Sequence, residues 1–183
     1  PAGERSWRSW PVGILMQGGV NPDLPLSYYV DLLHFLRDSY PAIHRHCFSP
    51  PEIKFIAKKE RMTFAEVLAK LKAAGLQSIP GGGAEILSEQ IRKEVLAYPK
   101  ASPDEWIDIM RQAHLLKMRT TATMMYGMGE ELWERVEHIE RIRDLQDETG
   151  GFTAFISWTF QHEHTDMPQM PEVYAHEYLK TLR

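Results

Sequence analysis

Imidazoles, carboxylates, a guanidinium and two groups of consecutive glycines are the residues of this sequence whose types and spacing could bind or activate a small molecule. The glycines occur as Gln17-Gly18-Gly19 and as Pro80-Gly81-Gly82-Gly83-Ala84-Glu85. Glycine tolerates positive φ and lets backbone amides come close to a ligand, and a glutamate beside such amides can take an ammonium or hydroxyl group. His44 and His46 alternate with Ile43 and Arg45, so an extended strand puts both imidazoles on one face, just before Ser49. Arg92 follows Glu85 by seven residues across a helix start; Tyr126-Gly127 with Glu130, and then Trp158, Gln161, His162 and His164, complete the set. Each group also has a plain structural reading. The glycines can be turns, an imidazole can be satisfied by a backbone carbonyl, and Glu85 with Arg92 can be an ion pair. His162-Glu163-His164 has a metal-like composition, but consecutive loop residues seldom converge on one ion. A zinc hydrolase using His44, His46 and His162 or His164 is a minor alternative, and no metal ligand is assigned. His138, among Glu134, Glu137 and Glu140, reads as part of a solvated charged helix face.

The elements that must position these residues follow a repeated grammar of strand, loop and helix. Apolar or β-branched runs at Val12–Met16, Ile43–Phe48, Leu76–Ile79, Thr120–Met125 and Phe152–Phe160 predict five strands. Between them lie helix starts at Pro25, Ser49-Pro-Pro-Glu52, Thr63-x-x-Glu66 and Ser102-x-x-Glu105, the last three with capping-box spacing. A long helix over 131–149 carries Leu132, Val136, Ile139, Ile142 and Leu145 at helical spacing. Strands separated by helices require crossovers, which predicts an α/β fold with a parallel sheet and covering helices. Five such units are too few to close an eight-stranded barrel of about 250 residues, so the expectation is a partial βα barrel with exposed edges, or a doubly wound sheet. Either architecture binds ligands beyond the carboxyl ends of its strands, where the candidate residues cluster.

Composition narrows the function classes. The 183 residues are 43% hydrophobic and 25% charged, with a net charge of −4 and interspersed signs, which excludes disorder and gives no nucleic-acid footprint. No apolar run approaches the roughly 20 residues of a membrane span, and no signal-peptide core precedes the first strand, so a cytoplasmic location is expected. One cysteine, Cys47, excludes a disulfide framework within the chain.

Five stretches, Leu15–Pro25, Ile43–Ile53, Ser78–Leu87, Thr120–Gly127 and Gln146–Ile156, resemble in order the menaquinone-pathway radical S-adenosylmethionine enzymes, and among them the cyclic dehypoxanthine futalosine synthase family. Aminofutalosine synthases and deazaflavin-forming synthases are siblings. Gly82-Gly83, Thr121-Ala-Thr-Met-Met125 and Trp158-Thr-Phe-Gln161 favour the cyclase branch. The resemblance implies a radical S-adenosylmethionine barrel over 13–183, a 4Fe-4S cluster, a small-molecule nucleoside substrate and an electron donor such as flavodoxin or ferredoxin. It assigns Gln17, Gly18, Gly19, Ser49, Glu85, Arg92 and Glu130 to the cofactor, with Arg92 suited to its carboxylate. Gly82, Gly83 and Gln161 go to the substrate, and His44, His46 and Tyr126 to catalysis. Departures accompany the likeness. The family's Cys-x-x-x-Cys-x-x-Cys loop is absent, Gly127-Met128-Gly129-Glu130 stands where Gly-His-x-Glu is usual, and residues 1–12 look unlike the family. The expectation is therefore the central segment of a longer enzyme, inactive alone; the alternative is a cluster-free nucleoside-binding module.

Overall fold

The computed structural model describes residues 13–95, 100–167, 170 and 172–181; the expected N-terminal segment 1–12 lies outside them. Five strands, β1 (Gly13–Met16), β2 (His44–Cys47), β3 (Ser78–Ile79), β4 (Arg119–Tyr126) and β5 (Phe152–Thr159), pair in sequence order, every pair parallel. The crossovers are helical: α1 (Leu26–Ser39), α2 (Pro50–Glu60) and α3 (Phe64–Ala74), α4 (Glu89–Val95) and α5 (Pro103–Leu115), and α6 (Leu132–Thr149), with α7 (Ala175–Thr181) after the last strand. The sheet curls into half of a barrel with its helices outside, the first of the two architectures that the strand-helix grammar allows. Among the described residues no helix is long and apolar enough to cross a membrane.

Local chemistry explains where the helices begin and end. Capping boxes open α2 (Ser49 and Glu52), α3 (Thr63 and Glu66) and α5 (Ser102 and Glu105), and a further one opens α6 (Glu131 and Glu134). Gly75, at φ 122°, ends α3, and Gly150, at φ 60°, ends α6. The core lies between the convex face of the sheet and the helices, where Leu33, Ile53, Leu68, Trp106, Ile109 and Met110 are fully enclosed. A smaller cluster of Ile86, Ile91, Met124, Tyr126 and Met128 sits at the strand-end rim.

Helix α6 departs from the sequence reading. Leu132 and Val136, placed on the apolar face by their spacing, are 70% and 55% exposed, and the buried face carries Glu134, His138, Ile142 and Leu145. The reason is polar: Glu134 accepts from Ser88 Oγ at 2.7 Å and Ile91 N at 3.3 Å, while His138 Nδ1 accepts from Leu87 N at 3.0 Å. His138 is thus a buried clasp on the segment after β3, not part of a solvated face. Burial, reinforced by the nearby charge of Arg92, pushes its pKa down to about 3.

At the opposite end of the sheet, buried His114 bridges Thr149 Oγ1 at 2.6 Å and Thr120 Oγ1 at 2.8 Å. Gly151 passes so close that a Cβ there would stand 2.1 Å from the imidazole ring. Burial first, and then Arg119 and Arg111, pull the His114 pKa from 6.5 to about 4. The unfolded chain therefore takes up the proton first as pH falls, so this histidine's contribution to stability is complete above about pH 6.5 and lost toward pH 4. The urea midpoint is expected to decline across that window, and less so in His114→Asn. Gly151→Ala is expected to lower stability by about 1–3 kcal/mol at neutral pH, read from the same midpoint.

Candidate functional site

Parallel strands deliver all their carboxyl ends to one rim, and the loops leaving that rim enclose a cavity of about 620 Å³. Its wall takes Gln17 and Gly19 from the loop after β1, His46, Ser49 and Glu52 from β2 and the start of α2, and the glycines and Glu85 from the loop after β3. Lys100 enters ahead of α5, Thr121 and Thr123 come from the concave face of β4, and Ile156 and Trp158 from β5. Strand alternation makes this possible: Thr121 and Thr123 face the cavity, while Ala122, Met124 and Tyr126 are enclosed on the other side.

Glu52 holds two of these loops together. Its Oε1 accepts from Gly18 N at 3.0 Å, and its Oε2 accepts from Ser49 N and Ser49 Oγ at 2.7 Å each. One buried carboxylate thus caps α2 and pins the first glycine turn.

The triple glycine is packed, beyond the needs of a turn. Gly81 N donates to Thr121 Oγ1 at 3.0 Å, Gly81 O accepts from Thr123 Oγ1 at 2.6 Å, and Gly82 O accepts from Trp106 Nε1 at 3.2 Å. A Cβ on Gly81 would meet Thr121 O at 2.7 Å, and one on Gly83, at φ 77°, would meet Pro51 Cγ at 2.3 Å. Glu85 also adopts positive φ, 46°; its carbonyl accepts from Met125 N at 2.9 Å, and its carboxylate pairs with Lys100 Nζ at 2.5 Å. Behind the loop, the buried Arg92 guanidinium donates to Ala84 O at 2.5 Å, Gly83 O at 3.3 Å, Ile86 O at 3.4 Å and also to Ala101 O. Burial lowers the Arg92 pKa from its ordinary value, against the opposing pull of Glu85, Glu89 and Glu105.

The structure thus gathers Gln17, Gly19, His46, Ser49, Gly82, Gly83 and Glu85 about one cavity. Gly18 adjoins it with its N–H committed to Glu52. Arg92 lies behind the loop and does not line the cavity. His44 and His46 both reach Ser78 Oγ, at 2.7 and 2.6 Å; since that hydroxyl has a single proton, it donates to one ring and accepts from the other. Only His46 meets the cavity, where burial and then the charge of His44 hold its pKa below 6.5. Tyr126 is enclosed on the convex side, stacked on Tyr178 and covered by Arg135 at 4.6 Å. Glu130 accepts from Gly127 N at 2.7 Å, Met128 N at 2.8 Å and Arg135 Nε at 2.8 Å, closing its own rim turn. Gln161 is exposed and donates to Thr159 Oγ1 at 3.0 Å.

Glu52, Lys100, Thr121 and Thr123 were not singled out as site residues from sequence. The capping-box position of Glu52 and the alternation of the two threonines were their visible signals. Among the described residues no group of three or more His, Cys, Asp or Glu could hold a metal ion. Cys47 is buried, and burial, with Glu52 adding, pushes its thiol up to about 11. Iron–sulfur clusters need several thiolates, so the residues present do not fit a 4Fe-4S cluster.

The Radical SAM superfamily matches residues 4–142. This chain belongs to that superfamily. It is 48% identical over 169 residues to the cyclic dehypoxanthine futalosine synthase of Halalkalibacterium halodurans, covering 92% of this chain and 45% of that protein. Identity to the aminodeoxyfutalosine synthase of Thermus thermophilus is 44% over 148 residues, covering 81% of this chain and 40% of that one. The chain thus spans less than half the length of these relatives. Streptococcus suis SuiB bound to S-adenosylmethionine shares the fold, with a TM-score of 0.50 and 12% identity over 95% of this chain and 46% of that one.

Glu52→Ala leaves Gly18 N and both Ser49 groups without their acceptor, and is expected to cost about 2–4 kcal/mol of unfolding free energy. A urea-midpoint change below about 0.5 kcal/mol would show that the two loops are held in some other way.

Proposed function

We propose that the rim cavity binds S-adenosylmethionine and that the chain is the cofactor-binding arc of a radical cyclase converting dehypoxanthine futalosine to cyclic dehypoxanthine futalosine. The supporting observation is the cavity itself, which joins a glycine cradle, an acidic group and an aromatic wall at the strand ends of a radical SAM superfamily chain. Its residues fit an adenosyl cofactor. Gly82 leaves a space whose Cβ would press on Gln17 at 2.8 Å, Trp158 and Ile156 offer apolar faces to a nucleobase, and Glu85 offers a carboxylate to an ammonium. Given one electron from a reductant outside these residues, bound S-adenosylmethionine would supply hydrogen-atom abstraction at the substrate ribose.

The chain's own residues do the rest. Gln17, Gly19 and Ser49 hold and orient the cofactor, Gly18 fixes their turn through Glu52, and Gly82 and Gly83 let the substrate approach. His46, kept neutral by burial, can accept the proton released when the substrate's ring regains aromaticity. A flavodoxin- or ferredoxin-type reductant, cluster thiolates and a cytoplasmic location belong to the same proposal for a polypeptide of the relatives' length. The aminodeoxyfutalosine synthase reading, carried by 44% identity, shares the adenosyl site and differs on the substrate side.

Calorimetric titration of the chain with S-adenosylmethionine is expected to show saturable binding, weakened roughly 5- to 100-fold in Trp158→Ala through loss of base stacking. Absence of binding, or equal binding by the variant, contradicts the assignment of the cavity. For the reaction, a polypeptide of the relatives' length reconstituted with iron and sulfide is expected to form the spirocyclic product from dehypoxanthine futalosine. Turnover of only a sibling's substrate selects the other branch.

A further inference from the structure

Ser78 of β3 stands beside His46 of β2 in the parallel register, and its hydroxyl meets two imidazoles, His46 Nδ1 at 2.6 Å and His44 Nε2 at 2.7 Å. The serine is buried, at 5% exposure. His46 borders the rim cavity, whereas His44, two residues nearer the opposite end of the strand, is exposed. Three side chains thus form one line of hydrogen bonds from the cavity to solvent. Both ends of the line are open: among the described residues neither His46 Nε2 nor His44 Nδ1 has a hydrogen-bond partner.

The single hydroxyl proton of Ser78 constrains both rings. If it is donated to His44 Nε2, the oxygen accepts from His46 Nδ1–H and both imidazoles are Nδ1–H tautomers; if it is donated to His46 Nδ1, both are Nε2–H tautomers. Passing from the first state to the second moves a proton along the line. We infer that Ser78 and His44 form the proton exit of the site, carrying to solvent the proton that His46 takes from the substrate. This rests on the reading of His46 given above. The proton enters at His46 Nε2, the Nδ1 proton of His46 passes to Ser78 Oγ as the hydroxyl proton passes to His44 Nε2, and His44 gives its Nδ1 proton to water. One proton enters, one leaves, and no charge stays on the buried serine. The electron that the ring gives up goes separately to an oxidised partner of the flavodoxin or ferredoxin class. Burial and then the charge of His44 disfavour a proton resting on His46, so it moves outward. Reverse passage, once the cavity is open to water, resets the line. Ser78 is thereby a positioning residue: it selects the tautomer of His46 and links it to His44.

Two measurements test the inference. Long-range nitrogen–proton correlation spectra of the isotope-labelled chain are expected to show both imidazoles chiefly as Nδ1–H tautomers, the state that leaves His46 Nε2 free to take a proton. Two Nε2–H rings, or rings in different tautomers, overturn it. In a polypeptide of the relatives' length acting on the substrate of the proposed reaction, His44→Gln, at an exposed position, is expected to lower kcat about 10- to 100-fold with KM unchanged. Ser78→Ala is expected to do the same, and Ser78→Thr, which keeps the hydroxyl, to recover most of the loss. Equal kcat in wild type and His44→Gln overturns the inference, and so does a loss carried wholly by KM, which would make the line a substrate contact. Absence of cyclic product from the wild-type polypeptide rejects the proposed reaction itself, and the tautomers of the chain then still decide whether the line is set to carry a proton.

Discussion

A buried guanidinium must find acceptors, and the way Arg92 finds them shapes the rim. Its donors turn toward the carbonyls of Gly83, Ala84 and Ile86 on one side and Ala101 on the other, so two segments separated in sequence are tied to one planar cation. The glycine-rich loop is thereby held from behind. Its front is free to border the cavity, and Glu85 is kept in a left-handed conformation that few non-glycine residues adopt unaided. Glu134 and His138 extend the same device one layer further, receiving Ser88, Ile91 and Leu87 where the loop becomes a helix.

The threonines of β4 complete the frame from the sheet side. With Gly81 bonded to Thr121 and Thr123, and Trp106 reaching Gly82 O, the loop is fixed by strand, helix and guanidinium together. Such fixing is what a site needs when its task is to orient a reactive cofactor and the cofactor carries the difficult chemistry. The glycines have a packing role as well. With Pro51 against Gly83 and the β4 backbone against Gly81, side chains there would push the loop away from the neighbours that hold it.

The fold was legible because its signals are local. Three capping boxes, the glycine at the end of α3 and the alternation of strands with helices marked the βα units before any contact was known, and so did the rim on which the site would lie. The site was legible in part. Gly82, Gly83, Gln17 and Glu85 were marked by glycine density at a strand end, whereas Lys100 had no motif and reaches the cavity only through folding. Arg92, which the resemblance suits to the cofactor's carboxylate, turns to the loop's carbonyls instead. On α6 the hydrophobic spacing of Leu132, Val136 and Ile139 pointed to the wrong face, because Glu134 and His138 are drawn inward by backbone amides and a hydroxyl that no periodicity records.

The central claim, that this rim cavity grips an adenosyl cofactor, is tested most directly by a crystal structure of the chain with S-adenosylmethionine bound. The account predicts the nucleobase against Trp158 and the ammonium at Glu85. A cofactor seated outside the rim cavity would contradict it.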